Sequence, residues 1–63
     1  MKLIARNYDH GFPDIGIEII VLDGDNETVI KTFNELSDDY AYTNSMNFIK
    51  ENENNIDELL NRN

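Results

Sequence analysis

The chain has 63 residues, of which 13 are Asp or Glu and 5 are Lys or Arg, which makes a formal net charge of −8. The scarcity of Lys and Arg disfavours direct binding to nucleic acid or to an anionic membrane, because binding to either needs a cluster of these residues. Cysteine is absent, which excludes disulfides, thiolate metal sites and a cysteine nucleophile. A domain of this size buries only about 60% of its unfolded surface, so its stability is marginal unless another chain adds buried area.

The first half of the chain shows the alternating pattern of β-strands. Residues 2–8, 17–22 and 28–33 each predict a strand. The second of these segments carries apolar side chains on both faces, which is typical of a central strand. We therefore predict a three-stranded antiparallel meander with the second strand in the middle.

The turn before the third predicted strand partly fits a calcium-binding loop. Counted from Asp23, Asp25 and Glu27 stand at positions 3 and 5 of an EF-hand loop. Thr28, however, stands where that loop needs glycine, and Asn34 stands where it needs a bidentate glutamate. A predicted strand, not a helix, also precedes the loop. The segment therefore predicts a solvated hairpin turn.

In the second half of the chain the apolar residues recur about every 3.6 residues, which predicts a helix over about 38–61. Ser37 is the predicted N-cap of this helix. Residues 53–55 interrupt the pattern, and Asn55 through Glu58 resembles a capping box. One helix could continue through this point, but we favour a break or a kink. Five apolar residues form one stripe that is expected to face the sheet: Tyr42, Met46, Ile49, Ile56 and Leu60.

These elements predict a single small α+β domain over residues 1–63, in the order βββα. One helix covers only one face of such a sheet. If the helix covers the face with Ile17, the opposite face presents Glu18, Ile20 and Leu22 as accessible residues. Long side chains such as Arg6 and Glu18 could shield that face, or a homodimer or another partner could cover it. It is therefore a candidate partner or dimer surface.

Few residues suggest catalysis. His10, the only histidine, lies between Asp9 and Asp14 in a loop, where it could hold a metal weakly or act as a base. No second histidine, cysteine or suitably placed serine completes a catalytic set, and no glycine-rich phosphate loop is present. We expect no enzyme activity, no cofactor and no metal. The start of the chain lacks a signal-peptide core, and no apolar run is long enough to span a bilayer, so we expect a cytoplasmic protein.

The placement of the acidic residues suggests a binding surface. Carboxylates fill the loops and the helix, and in such numbers they can imitate the phosphates of a duplex and enter a basic groove. An exposed aromatic residue among them, of which Tyr40 is the candidate, would anchor a basic partner. Phe12 is either a second exposed aromatic or packs under its own loop. The predicted partner-binding residues are Asp23, Asp25, Glu27, Asp38, Asp39, Tyr40, Glu51, Asp57 and Glu58.

In size and acidity the chain resembles the small phage-encoded DNA mimics, which include anti-restriction, anti-CRISPR and uracil-DNA-glycosylase inhibitors. The resemblance covers composition and no motif, so no functional residue follows from it. It implies a phage or mobile-element inhibitor that occupies the basic groove of a nucleic-acid-handling protein. The alternative is a small dimeric adaptor or antitoxin-like module that uses the sheet face with Glu18, Ile20 and Leu22.

Overall fold

The structure, a computed structural model, describes residues 1–34 and 38–61. The predicted N-cap Ser37 lies outside these residues. The strands pair antiparallel in the order β1-β2-β3, so the predicted α+β class, the βββα order and the central position of the second strand are confirmed. The elements in chain order are β1 (Lys2–Asp9), β2 (Ile15–Asp23), β3 (Asn26–Phe33), α1 (Asp38–Asn52) and α2 (Ile56–Asn61).

A two-residue turn joins β2 to β3. Asp23 pairs with Asn26, so Gly24 and Asp25 form the loop. Gly24 has a φ of 62°, whereas Asp25 keeps a negative φ. A positive φ at the first loop position is the signature of a type II′ turn, whose twist matches that of the flanking strands. The segment that partly fits a calcium loop is therefore a tight β-hairpin.

The main core lies between the sheet and α1. Ile17, Ile19 and Val21 alternate along β2 and are buried, as the strand pattern predicts. From the helix, Ala41 and Ser45 are buried at 2% and 1% exposure. The Ser45 hydroxyl donates a hydrogen bond to the Ala41 carbonyl, which satisfies the hydroxyl inside its own helix and makes its burial tolerable.

The predicted core stripe of the helix is wrong for Tyr42 and Met46, whereas Ile49 is partly buried. Tyr42 and Met46 are 62% and 45% exposed, because the residues one position earlier, Ala41 and Ser45, face the sheet instead. A one-residue shift rotates a helix by about 100°. The hydrophobic pattern favours the larger side chains, whereas small side chains at the contact let the helix lie close to the sheet.

The predicted break or kink in the helix is a break, because α1 ends at Asn52 and α2 begins at Ile56. The Asn55 N–H donates to the Asn52 carbonyl at 2.9 Å, and the Asn55 carbonyl accepts from the Leu59 N–H at 3.2 Å. Asn55 thus occupies the N-cap position of α2. Its N–H binds the Asn52 carbonyl, where the predicted capping box would have it bind the Glu58 side chain. Within the described residues, no helix has the length and apolar character needed to cross a membrane.

Candidate functional site

An ion-pair network crosses the sheet face opposite α1. Arg6 on β1 stands directly opposite Glu18 on β2, and its Nη2 lies 2.9 Å from Glu18 Oε1. Its Nη1 lies 3.2 Å from Oε1 of Glu27 on β3, and its Nε donates to Glu18 Oε1 at 3.0 Å. Arg6 therefore ties together all three strands. We call Arg6, Glu18 and Glu27 the charged strap.

Ile20 lies under the charged strap. The alternation along β2 places it on the same face as Glu18, and the register places it between Ile4 and Val29. Ile20 is 0% exposed, although α1 lies on the other face of the sheet. The Arg6 side chain must cross β2 to reach Glu27 on β3, and its apolar stem therefore shields Ile20 from solvent. The expectation that Ile20 is accessible is therefore wrong.

The three residues predicted for the sheet-face site thus differ in accessibility. The Glu18 side chain is only 15% exposed and is ion-paired, Ile20 is buried, and Leu22 is partly exposed. This is the shielding by Arg6 and Glu18 that the sequence leaves as one alternative for this face. A partner that docked here would meet charged groups that already bind each other.

The charged strap raises the pKa of Arg6 above its ordinary value. The hydrogen bond to Glu18 is the largest cause and the hydrogen bond to Glu27 the second, since both favour the charged guanidinium. While its two partners are ionised, a raised pKa in the folded state means that the contribution of Arg6 is lost as the pH rises through that raised value. The Arg6 and Glu27 side chains are 48% and 50% exposed, so dissolved salt weakens their attraction.

Carboxylates from two distant parts of the chain lie at the same end of the molecule, on either side of Met1. β1 starts there, because Lys2 pairs with Leu22 next to the β2–β3 turn. Met1 borders Leu22 and Gly24 on one side, and it borders the α1–α2 junction with the first turn of α2 on the other. We call the five exposed carboxylates at this place the acidic end: Asp23, Asp25, Glu53, Asp57 and Glu58.

The nine residues predicted for the acidic surface lie in three separate places. Four belong to the acidic end: Asp23, Asp25, Asp57 and Glu58. One, Glu27, belongs to the charged strap. The other four lie on α1: Asp38, Asp39, Tyr40 and Glu51. Sequence reasoning misses Glu53, because it reads that residue only as an interruption of the helical stripe. Its place in the turn between the two helices could have been recognised, since a break predicted there leaves its side chain free to face solvent.

α1 does not carry a continuous row of carboxylates. Asp39 and Glu51 are exposed, but twelve residues of helix separate them by about 18 Å along the axis, and no acidic residue lies between them. Exposed side chains in this interval include Tyr40 at 68% and Met46. Tyr40 and Phe12 are both strongly exposed, in agreement with the expectation for Tyr40. The density of negative charge is therefore highest at the acidic end.

The β1–β2 loop uses its two aspartates for its own hydrogen bonds. The Asp9 carboxylate accepts from the backbone N–H two residues later at 2.9 Å, and the Asp14 carboxylate accepts from the Asn34 amide at 3.3 Å. The ring of His10 lies 5.5 Å from that of Tyr8. No three His, Asp or Glu side chains of residues 1–34 and 38–61 are grouped to hold a metal ion. The loop geometry supports a structural role for these residues.

No protein-family model, curated protein or solved structure matches this chain. Of its two candidate surfaces, the sheet face holds charges that pair with each other. The acidic end differs, because none of its carboxylates forms an ion pair with another described residue.

Proposed function

We propose that this protein is a non-enzymatic binding protein whose acidic end enters a basic groove of a nucleic-acid-handling protein, where it acts as a DNA mimic and an inhibitor. The observation that carries the proposal is the convergence of five exposed carboxylates from the β2–β3 turn and the α1–α2 junction. Lys2 of β1 lies at the same end of the molecule, beside Leu22 and Gly24.

The electrostatics of the acidic end favour a cationic partner. Carboxylates brought together by the fold repel one another, and this repulsion raises the free energy of the unbound protein. A surface rich in Lys and Arg removes the repulsion and adds attraction. The attraction acts over about 8–10 Å at ordinary salt, so it accelerates the encounter as well as stabilising the complex.

The shape of the acidic end supports mimicry of a phosphate array. Its carboxylates come from a tight hairpin tip and from a helix start, two elements whose backbones are held by hydrogen bonds. Duplex DNA likewise presents fixed phosphate anions on two strands. A protein groove that binds duplex DNA is lined with Lys and Arg side chains that contact both strands. Because the middle of α1 is uncharged, we confine the mimicry to this end of the molecule.

The alternative function, an adaptor or antitoxin-like module that docks through Glu18, Ile20 and Leu22, has less support. Its central apolar residue, Ile20, is covered by the charged strap. Docking there would first require that the strap be displaced.

The test is capture of a partner from lysate of the source cells by the tagged protein, with and without added duplex DNA. We expect a basic nucleic-acid-binding protein that is released by DNA and by rising salt. The neutralising variant Asp23→Asn, Asp25→Asn, Asp57→Asn, Glu58→Gln should bind that partner at least about tenfold more slowly and with a flatter salt dependence.

The matched control neutralises charges away from the acidic end. Asp39→Asn with Glu51→Gln lies on α1 and should reduce association by less than about threefold. Circular dichroism must show that both variants fold. A partner that DNA does not displace, or equal losses in the two variants, would contradict the proposal.

A further inference from the structure

β1 forms an open edge of the sheet. It pairs with β2 along all eight residues without a register shift, and no strand of the described segments pairs with its outer side. β3, the other edge, has a register shift opposite Ile19/Ile20, an irregularity that commonly protects an edge from further pairing. β1 has no such shift and contains no proline. It therefore offers a regular row of backbone donors and acceptors.

An apolar strip of α1 lies on the side of the helix nearest this edge. Tyr42, Met46 and Ile49 stand at positions i, i+4 and i+7, so they line one flank of the helix, and we call them the apolar flank. Tyr42 borders a hollow with Asn7 and Asp9 of β1, which shows that this flank faces β1. Tyr42 and Met46 are among the exposed large hydrophobic residues of the molecule.

The opposite flank of α1 has a different environment. Asn47 and Phe48 border a hollow with Lys31 and Phe33 of β3, and the rings of Phe33 and Phe48 pack edge to face with centroids 6.1 Å apart. On the β1 side, Ala5 lies on the face that α1 covers and remains exposed. The face of β1 beside the apolar flank is therefore open to solvent at this position.

Charge makes β1 the place where two copies can approach most easily. Arg6 of this strand is already paired with Glu18 and Glu27, which leaves Lys2 against Asp9, whereas the whole chain has a net charge of −8. The apolar flank carries no charge. Contact between copies at any surface rich in carboxylates would instead bring like charges together.

We propose that two copies of this chain pair through β1, antiparallel to each other, about a two-fold axis perpendicular to the sheet. The result is a continuous six-stranded sheet with both α1 helices on the same face, so that the two apolar flanks meet across the axis. Such an interface is self-complementary, since each copy offers the same strand and the same flank. It also adds the buried area that a domain of this size lacks.

The dimer responds to salt in the opposite sense to the proposed complex with a basic partner. Two chains of charge −8 repel each other at long range, and salt screens this repulsion. Added salt therefore strengthens dimerisation, whereas it weakens binding at the acidic end. The dimer proposal is independent of the proposed function, and either can fail alone.

The experiment is sedimentation equilibrium of the full chain over a range of protein and salt concentrations, combined with hydrogen exchange. We expect a species of twice the 7.3 kDa chain mass, favoured by salt, with slowed exchange at amides of β1 as the dimer forms. Met46→Asp should weaken dimerisation at least about tenfold, because it places a charge between the apolar flanks. Asn47→Asp is the matched control, with the same added charge on the opposite flank, and should weaken it less than about threefold.

Met46 and Asn47 are both exposed, so neither variant threatens the fold of a single copy. Ala5→Glu supplies a second test, because it places a charge at the edge itself. A monomer up to about 1 mM would overturn the proposal. A dimer that Met46→Asp and Ala5→Glu leave unchanged, or one with unprotected β1 amides, would overturn it as well.

Discussion

The two faces of β2 reach the same burial by different means. Ile19 and Ile20 are neighbours in sequence, point to opposite faces and are both 0% exposed. Ile19 lies on the face that α1 covers, and the buried residues of that helix, Ala41 and Ser45, are small and uncharged. Ile20 lies under the charged strap, whose Arg6 and Glu27 side chains are about half exposed.

This difference shows that burial alone does not report how firmly a residue is held. A helix presents a surface of many side chains fixed by backbone hydrogen bonds, so it cannot easily follow a change beneath it. A long charged side chain retains rotamer freedom and can settle into a gap. We therefore expect the two isoleucines to differ in their contribution to stability although their exposure is equal.

The largest effect should come from Ile19→Ala. Removal of the side chain under α1 leaves a cavity that the helix cannot fill, at a cost of about 4 kcal/mol. For so small a domain this is a large fraction of the total free energy of unfolding. Urea unfolding followed by circular dichroism should show a mostly unfolded variant. A native-like midpoint would mean that α1 does not define a rigid core.

The same truncation on the other face, Ile20→Ala, should cost about 2 kcal/mol, at the lower limit for such a substitution, because the Arg6 stem can move into the space. The difference between the urea midpoints of Ile19→Ala and Ile20→Ala measures how much more rigid α1 is than the charged strap. Equal losses for the two variants would show that the charged strap is as rigid as the helix.

A smaller effect is expected from Arg6→Met, which keeps an apolar stem over Ile20 but removes both ion pairs. Stability should fall at low salt, because Glu18 and Glu27 then lack their partner, and the loss should shrink as salt is added. Lys31→Met is the matched control, since it removes the same charge from a residue that lies over the Phe33 ring. If both variants show the same salt response, the strap has no specific role.

The smallest effect should come from Asn55→Ala, because Asn55 belongs neither to α1 nor to the charged strap. Asn55 occupies the N-cap position of α2, and replacement of this favoured residue type by alanine should cost at most about 1 kcal/mol. Because α2 contains no fully buried residue, we expect the loss to appear as fraying of α2 in hydrogen exchange, with little change in the midpoint of global unfolding. A large midpoint shift would mean that α2 stabilises the sheet.

Local pattern was sufficient for the secondary structure and its order. The apolar residues at 17–22 predict a central strand because side chains alternate across a sheet with a period of two. The interruption at residues 53–55 predicts the end of a helix, and Asn55 supplies a residue type that caps the next one. Gly24 allows the positive φ that the β2–β3 turn requires. Each of these features depends on residues close together in the chain.

Only the tertiary structure decided which flank of α1 faces the sheet, what covers Ile20 and which carboxylates meet at the acidic end. The rotation of α1 depends on how closely small side chains such as Ser45 let it approach the sheet, and hydrophobic periodicity does not measure this distance. The charged strap joins Arg6 to a residue 21 positions away, and the acidic end joins the β2–β3 turn to α2. These placements depend on strand register and on the path of the chain, because they arise only when distant segments pack together.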